Sequence, residues 1–387
     1  MKSYTVKLED RKENSNYGYI LRKTNISVGG KTISGPYRIP KHPIKKYNLD
    51  GQLNEINVNL TLSDIEKGDD DNKDLEPILD RKFLSKIKKG AINIAFVSIT
   101  RTDKTGFVTL KEKVEQISDF VVDLIFKNPF VDVVTLPMLY PDEHDSYVDA
   151  MEVNALLSKR VREITNLESG DLKVASYIPH YLPRNRIPSF IEEYVSIFGS
   201  RGIFIPSVDG HTFSSIGYGK ISQIEGILER QYKEENYSLY LYSHKDKRQT
   251  VDEEIPAEDF LAMLRESSII GPSHKRRKFP KELAMAWKME DKLTNKTLNE
   301  DDLLFYHHDK SPVMKNLKNW AINNGFDYEN SSNKKRNDIM DLYNDHIASS
   351  LVSPMIEDTD YFLKNLKRDT FVESLRKFGK NKQSSLF

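Results

Sequence analysis

Cysteine is absent from all 387 residues, which excludes disulfides, thiolate zinc sites and a thiol nucleophile and fits a reducing compartment. Net charge is absent too: 58 Lys and Arg offset 58 Asp and Glu. The whole chain therefore has no field that draws in nucleic acid, and only a local basic patch can do so. Long apolar runs are lacking, since nothing approaches the ~20 residues needed to cross a bilayer. The opening residues, MKSYTVKLEDRKENSNYGY, are too charged for a secretion signal. A cytoplasmic protein without membrane contact is expected. Mean hydropathy is low, at −0.58, yet a hydrophobic content of 38% suffices for a folded core and excludes wholesale disorder.

What is present is an alternation of strands and helices. From Tyr17 to Pro40, YGYILRKTNISVGGKTISGPYRIP reads as a hairpin whose Gly29-Gly30 pair supplies positive φ. Asp64 to Asp74 reads as a solvated acidic insertion. From Ala91 a cycle begins: strand AINIAFVSI, helix LKEKVEQISDFVVDLIFK, strand VDVVTLPML, then a helix from Val148 to Ile164. It continues through strand LKVASYIP, helix IPSFIEEYVSIFG, strand RGIFIPSV, helix ISQIEGILERQY, strand YSLYLYSH and helix PAEDFLAMLRES. The strands are continuous apolar runs, as parallel strands covered on both faces should be. No G-x-G-x-x-G turn follows the first of them, and polar residues follow every one. A (β/α)8-type TIM barrel is therefore favoured over a doubly wound sheet. The expected organisation is an N-terminal β segment with an insertion over 1–86, an α/β barrel body over 87–279, and a helical C-terminal extension over 280–387 with Asn-rich joints such as ENSSNKKRND.

In such a barrel the chemistry sits where strands end. The candidates are Arg101 and Asp103; Asp142, Glu143 and His144; His180 and Arg184; Asp209 and His211; His244 and Lys245; and Ser273 and His274. Beyond them His274-Lys275-Arg276-Arg277-Lys278 concentrates positive charge suited to phosphate contacts. His180, Asp209, His211 and His244 form an imidazole and carboxylate set able to bind a divalent ion, although no HxH or HExxH spacing fixes two ligands locally. Tyr306, His307 and His308 near Trp320 read as an aromatic packing cluster. At the end of the chain, Gln383, Leu386 and Phe387 form a Gln-x-x-Leu-Phe pattern similar to the peptide by which DNA-acting proteins bind sliding clamps.

The order of segments from Ile26 to Phe279 resembles the transglycosylases that exchange guanine for a 7-deazaguanine, in tRNA or, in a divergent branch, in DNA. Thr102-Asp103-Lys104-Thr105-Gly106-Phe107 is similar to the family's Asp-Ser-Gly-Gly-Phe turn. That resemblance implies a catalytic role for Asp103 and a substrate-binding one for Gly106 and Phe107. VDVVTLPMLYPDE resembles the strand that carries a base-recognising aspartate, which implies that Asp142, with Glu143 beside it, meets the base. The chain departs from the family at Pro179-His180, where Gln-Gly is expected, at Ser267, Ser268 and Gly271, where a second aspartate is expected, and in lacking the Cys-rich zinc motif. Asp209 or Asp142 would then supply the second carboxylate, with His180, His211 and His244 lining the pocket.

Three functions remain open at this point. The first is base exchange or base binding on DNA or tRNA, with no cofactor or metal, and compatible with a homodimer. The second is a metal-dependent barrel hydrolase or phosphoesterase. The third is a non-catalytic nucleic-acid or sliding-clamp accessory protein.

Overall fold

A computed structural model describes residues 4–39, 53–61, 84–100, 111–122, 128, 130–136, 138–139, 147–165, 174–179, 182–207, 215–242, 254–271 and 293–384. Its strands are β1 (Tyr4–Asn14), β2 (Tyr19–Val28), β3 (Lys31–Ser34), β4 (Tyr37–Arg38), β5 (Leu53–Thr61), β6 (Ile92–Thr100), β7 (Val133–Thr135) and β8 (Met138–Leu139). They continue with β9 (Val174–Ile178), β10 (Gly202–Pro206), β11 (Tyr237–Leu241), β12 (Glu254–Pro256), β13 (Ile269–Ile270), β14 (Lys296–Asn299) and β15 (Leu304–His307). The helices are α1 (Val114–Val121), α2 (Tyr147–Thr165), α3 (Ile187–Phe198), α4 (Ser215–Gly226), α5 (Glu258–Met263), α6 (Met314–Asn323), α7 (Asn333–Glu357), α8 (Thr359–Lys364) and α9 (Thr370–Ser384).

The central sheet runs β4-β13-β11-β10-β9-β7-β6-β5, with β8 also paired to β6. Every ladder in it is parallel. Apart from β8, each strand from β5 onward lies beside the next of the central sheet in chain order, and the last, β13, returns to pair with the first, β4. That is the cyclic order of a barrel, curled but not closed, because no ladder joins β4 to β5 among the described residues. Across this seam the Tyr37 hydroxyl, whose pKa burial raises, shares a hydrogen bond with the Leu53 backbone that works in the opposite sense.

Alternation along the strands produces two packed faces. Ile92, Ile94 and Phe96 pack inward with Val133, Ala175, Tyr177, Ile203, Ile205, Tyr240 and Ile269. Ala95, Val97, Val134, Val174, Phe204, Leu239 and Ile270 face outward, in the same cluster as Ile117, Leu157, Ile191, Ile224 and Phe260 of the helices. That outer cluster runs on into Tyr343, Ile347, Phe371 and Leu375, so the C-terminal helices share a core with the barrel.

The expected hairpin is present: β2 and β3 are antiparallel with Val28 opposite Lys31, and Gly29 and Gly30 adopt φ of 55° and 84°. The sequence reading did not anticipate β1, which pairs with β2 over its length. Tyr4 and Val6 join the inner core, while Arg11 reaches Glu229 at 2.9 Å. The Tyr4 hydroxyl donates to the Val174 carbonyl at 2.9 Å and accepts from the Ile203 amide at 3.1 Å. Both partners stand at the start of strands of the central sheet, so the β1–β3 layer plugs the amino-terminal end of that curled sheet.

Glu234 fastens this plugged end. Its carboxylate accepts from the amides of Glu235 and Asn236 and from Ser200 Oγ, while Asn236 Oδ1 accepts from the Leu8 amide of β1 at 3.2 Å. Burial alone would raise the Glu234 pKa; the hydrogen bonds, from Asn236 foremost, and Arg201 outweigh it and hold it below the ordinary value. A depressed carboxylate stabilises the fold above its unfolded pKa of about 4.3 and loses that contribution as pH falls through the folded value. Glu234→Gln should thus be less stable than the parent at pH 7, with the difference vanishing on acidification. Denaturation midpoints that fall in parallel at both pH values would contradict this role.

Beyond Pro280 the chain is not helical throughout. β14 and β15 form a hairpin that pairs with β12 in a three-stranded antiparallel sheet. Its short strands carry Lys296, Thr297 and Asn299, a pattern with little β signal in sequence. They are buried because Asn344 of α7 accepts from the Leu298 amide and donates to the Lys296 carbonyl, each at 2.8 Å, completing the strand edge as a further strand would. The Asn-rich joint is corrected as well: Ser332 caps α7 by accepting from Lys335 N, so residues 333–338 begin a helix. β4 and β5, within the segment expected to precede the barrel, supply two of its ring positions.

Candidate functional site

Because the sheet is parallel, all its strands end on one rim, opposite the plug. Asp103 follows β6, Asp142 and Glu143 follow β8, His180 follows β9, Asp209 and His211 follow β10, His244 follows β11, and His274 to Lys278 follow β13. These residues, with Gly106, Phe107, Leu386 and Phe387, lie outside the described residues, as does the acidic stretch Asp64–Asp74. Gln383 is in the last turn of α9.

The described residues build the wall beneath that rim. β5 alternates strictly: Leu53 joins the inner core while Ile56 and Val58 join the outer one, so Glu55 and Asn57 fall on the inner face. Tyr242, just past β11, donates its hydroxyl to Asn57 Oδ1 at 2.8 Å. Phe96 stacks on the Tyr242 ring at 4.4 Å, and Tyr177 meets that ring edge-on at 5.8 Å. Phe96 also makes an edge contact with Tyr240 at 5.6 Å. On the far side of the seam a Cβ at Gly271 would lie 2.6 Å from Glu55 Oε1 and 2.7 Å from Tyr240 Cε2, so glycine is needed there to let the carboxylate and the ring approach. Strands from four parts of the ring thus bring aromatic faces, an amide, hydroxyls and a carboxylate into one lumen. The four aromatic rings are buried and fill the interior as packed core.

A buried cation stands early in α4, the helix reached from the loop after β10. Lys220 is 7% exposed, and burial lowers its pKa. Neither Lys220 nor the lumen pair Glu55 and Asn57 was singled out in the sequence. The available signal was the run Ile56-Asn57-Val58-Asn59-Leu60-Thr61, an apolar and polar alternation that marks a strand with one polar face.

The Tyr306 hydroxyl donates to Asp302 Oδ2 at 2.5 Å, the His307 and His308 imidazoles stack obliquely on each other, and Trp320 contacts Phe326, Tyr343 and His346. Among the described residues no helix is long and apolar enough to cross a membrane. Neither a protein-family model nor a curated protein matches the chain.

Proposed function

We propose that this barrel exchanges or binds a guanine-type base in DNA or tRNA, in the manner of the transglycosylases its segment order resembles. The observation that carries the proposal is the parallel ring order, which directs the loops bearing Asp103, Asp142, His180 and Asp209 to the one rim that the β1–β3 plug leaves open. The half-buried Glu55 and Asn57 on the inner face of β5 support a ligand with a hydrogen-bonding edge. In the proposed reaction the Asp103 carboxylate attacks the anomeric carbon, forming a C–O bond as the glycosidic C–N bond breaks. The departing base takes a proton from the second acid, Asp209 or Asp142. The incoming base then displaces the carboxylate, yields its ring N–H proton to the now deprotonated second acid and restores a C–N bond, so a nucleophile-to-amide change stops the cycle at its first step. The target nucleotide must leave its stack to enter, and the basic segment 274–278 holds the flanking phosphates.

The test is incubation of the full chain with radiolabelled guanine or a 7-deazaguanine and either duplex DNA or tRNA. Incorporation into one polymer, reduced about a thousandfold or more in Asp103→Asn, is the expected result. Incorporation that survives the substitution removes Asp103 from the mechanism. No incorporation, together with stoichiometric rim-bound zinc or manganese, would favour the metal-dependent hydrolase instead, and no incorporation without metal the accessory protein.

A further inference from the structure

We infer a binding site for a divalent transition metal at His307, His308 and Asp309, separate from the barrel rim. One ligand atom from each of the three residues lies within 4.8 Å of the others. Asp309 faces both rings, with Oδ2 3.4 Å from His307 Nδ1 and Oδ1 2.6 Å from His308 Nε2. The ring centroids are 4.2 Å apart. Consecutive side chains in a strand point to opposite faces, so this convergence needs a local cause. β15 ends at His307 in extended backbone (φ −60°, ψ 145°), and the chain turns at once into the 3-10 turn His308–Lys310, which brings the second imidazole round to the first.

The base beneath the site is firm. β15 is held on both sides, by β14 and by β12, with Glu254 opposite Tyr306. The donor set selects the ion: two imidazoles and a carboxylate suit zinc, nickel or copper, and suit magnesium or calcium poorly.

Two features weaken the site. The Arg336 guanidinium repels a cation, although its Nε and Nη2 are engaged by the carbonyls of Tyr328 and Glu329. His308 Nδ1 is buried with no hydrogen-bond partner among the described residues, so no acceptor orients the ring from behind, a lack that costs about 10- to 100-fold in metal sites. Three protein donors leave a fourth tetrahedral position for water or an external ligand.

Calorimetric titration of the metal-stripped full chain with zinc chloride tests the site, and cobalt absorption reports its geometry. The expected result is about one equivalent of zinc, a tetrahedral cobalt spectrum, and affinity at least about tenfold weaker in both His308→Ala and Asp309→Asn. Asp309 is largely exposed, so the Asp309→Asn variant keeps the test valid if His308→Ala fails to fold. The triple variant His180→Ala/His211→Ala/His244→Ala should retain the equivalent. Absence of binding in the parent, unchanged binding in Asp309→Asn, or loss in the triple variant would each overturn the proposal.

Discussion

Arg38→Ala is expected to lower the unfolding free energy by about 3–5 kcal/mol, the cost of removing one member of a buried ion-pair network. Arg38 Nε donates to Asp259 Oδ2 at 2.5 Å, and Nη1 donates to Asp345 Oδ1. All three side chains are buried. Burial by itself would favour the neutral guanidine; the Asp345 and Asp259 carboxylates outweigh it and hold the charge more firmly than in water. Removing the cation leaves two carboxylates in the interior facing an emptied volume. The effect is large for a positional reason too: among the described residues β4 has a ladder to β13 alone, and Arg38 ties it to α5 and α7. Denaturant titration measures the loss. Arg38→Leu combined with Asp259→Leu and Asp345→Leu should recover part of it, since an apolar set of similar volume avoids the stranded charges. A loss below about 1 kcal/mol in Arg38→Ala would show the triad to be better solvated than its burial indicates.

Gly271→Val should cost about 1–3 kcal/mol, the usual range for overpacking, and should also disturb the rim. A Cβ there meets Glu55 Oε1 at 2.6 Å, Tyr240 Cε2 at 2.7 Å and the Leu241 carbonyl at 3.0 Å. Glu55 can swing aside, but the Tyr240 ring is wedged against Phe96 and the Leu241 carbonyl accepts from the Gly271 amide itself at 2.9 Å. Pairing the substitution with Glu55→Ala should therefore recover only part of the stability, which a double-mutant cycle on thermal midpoints can quantify. Full recovery would mean that the carboxylate alone sets the requirement for glycine.

The barrel body was legible because β6, β9, β10 and β11 are the apolar runs that a two-faced parallel sheet demands, and the helices between them carry apolar residues at helical spacing. β5 was not legible for the same reason reversed. Its inner face holds Glu55 and Asn57, so it alternates like a solvated antiparallel strand although it lies in a parallel sheet. VDVVTLPML reads as one strand, whereas Val133–Thr135 and Met138–Leu139 pair with β6 as two separate pieces. The β14–β15 hairpin depends on Asn344, a partner remote in sequence that no local window contains. For the candidate site, the sequence pointed to the loops after the strands; the lumen wall beneath them emerged only when Tyr242 met Asn57 across 185 positions of chain.

The plug carries a consequence for how the chain is made. The β1–β2 hairpin is local and can form as soon as it leaves the ribosome, but the partners of its Tyr4 hydroxyl, Val174 and Ile203, are separated from it by 170 and 199 positions. At about 5–20 residues per second, synthesis needs roughly 10–40 s to deliver them. Throughout that interval Tyr4, Val6 and Ile26 have no barrel to enter, so the nascent hairpin presents an apolar face that a chaperone must shield or that must stay apart from other nascent copies.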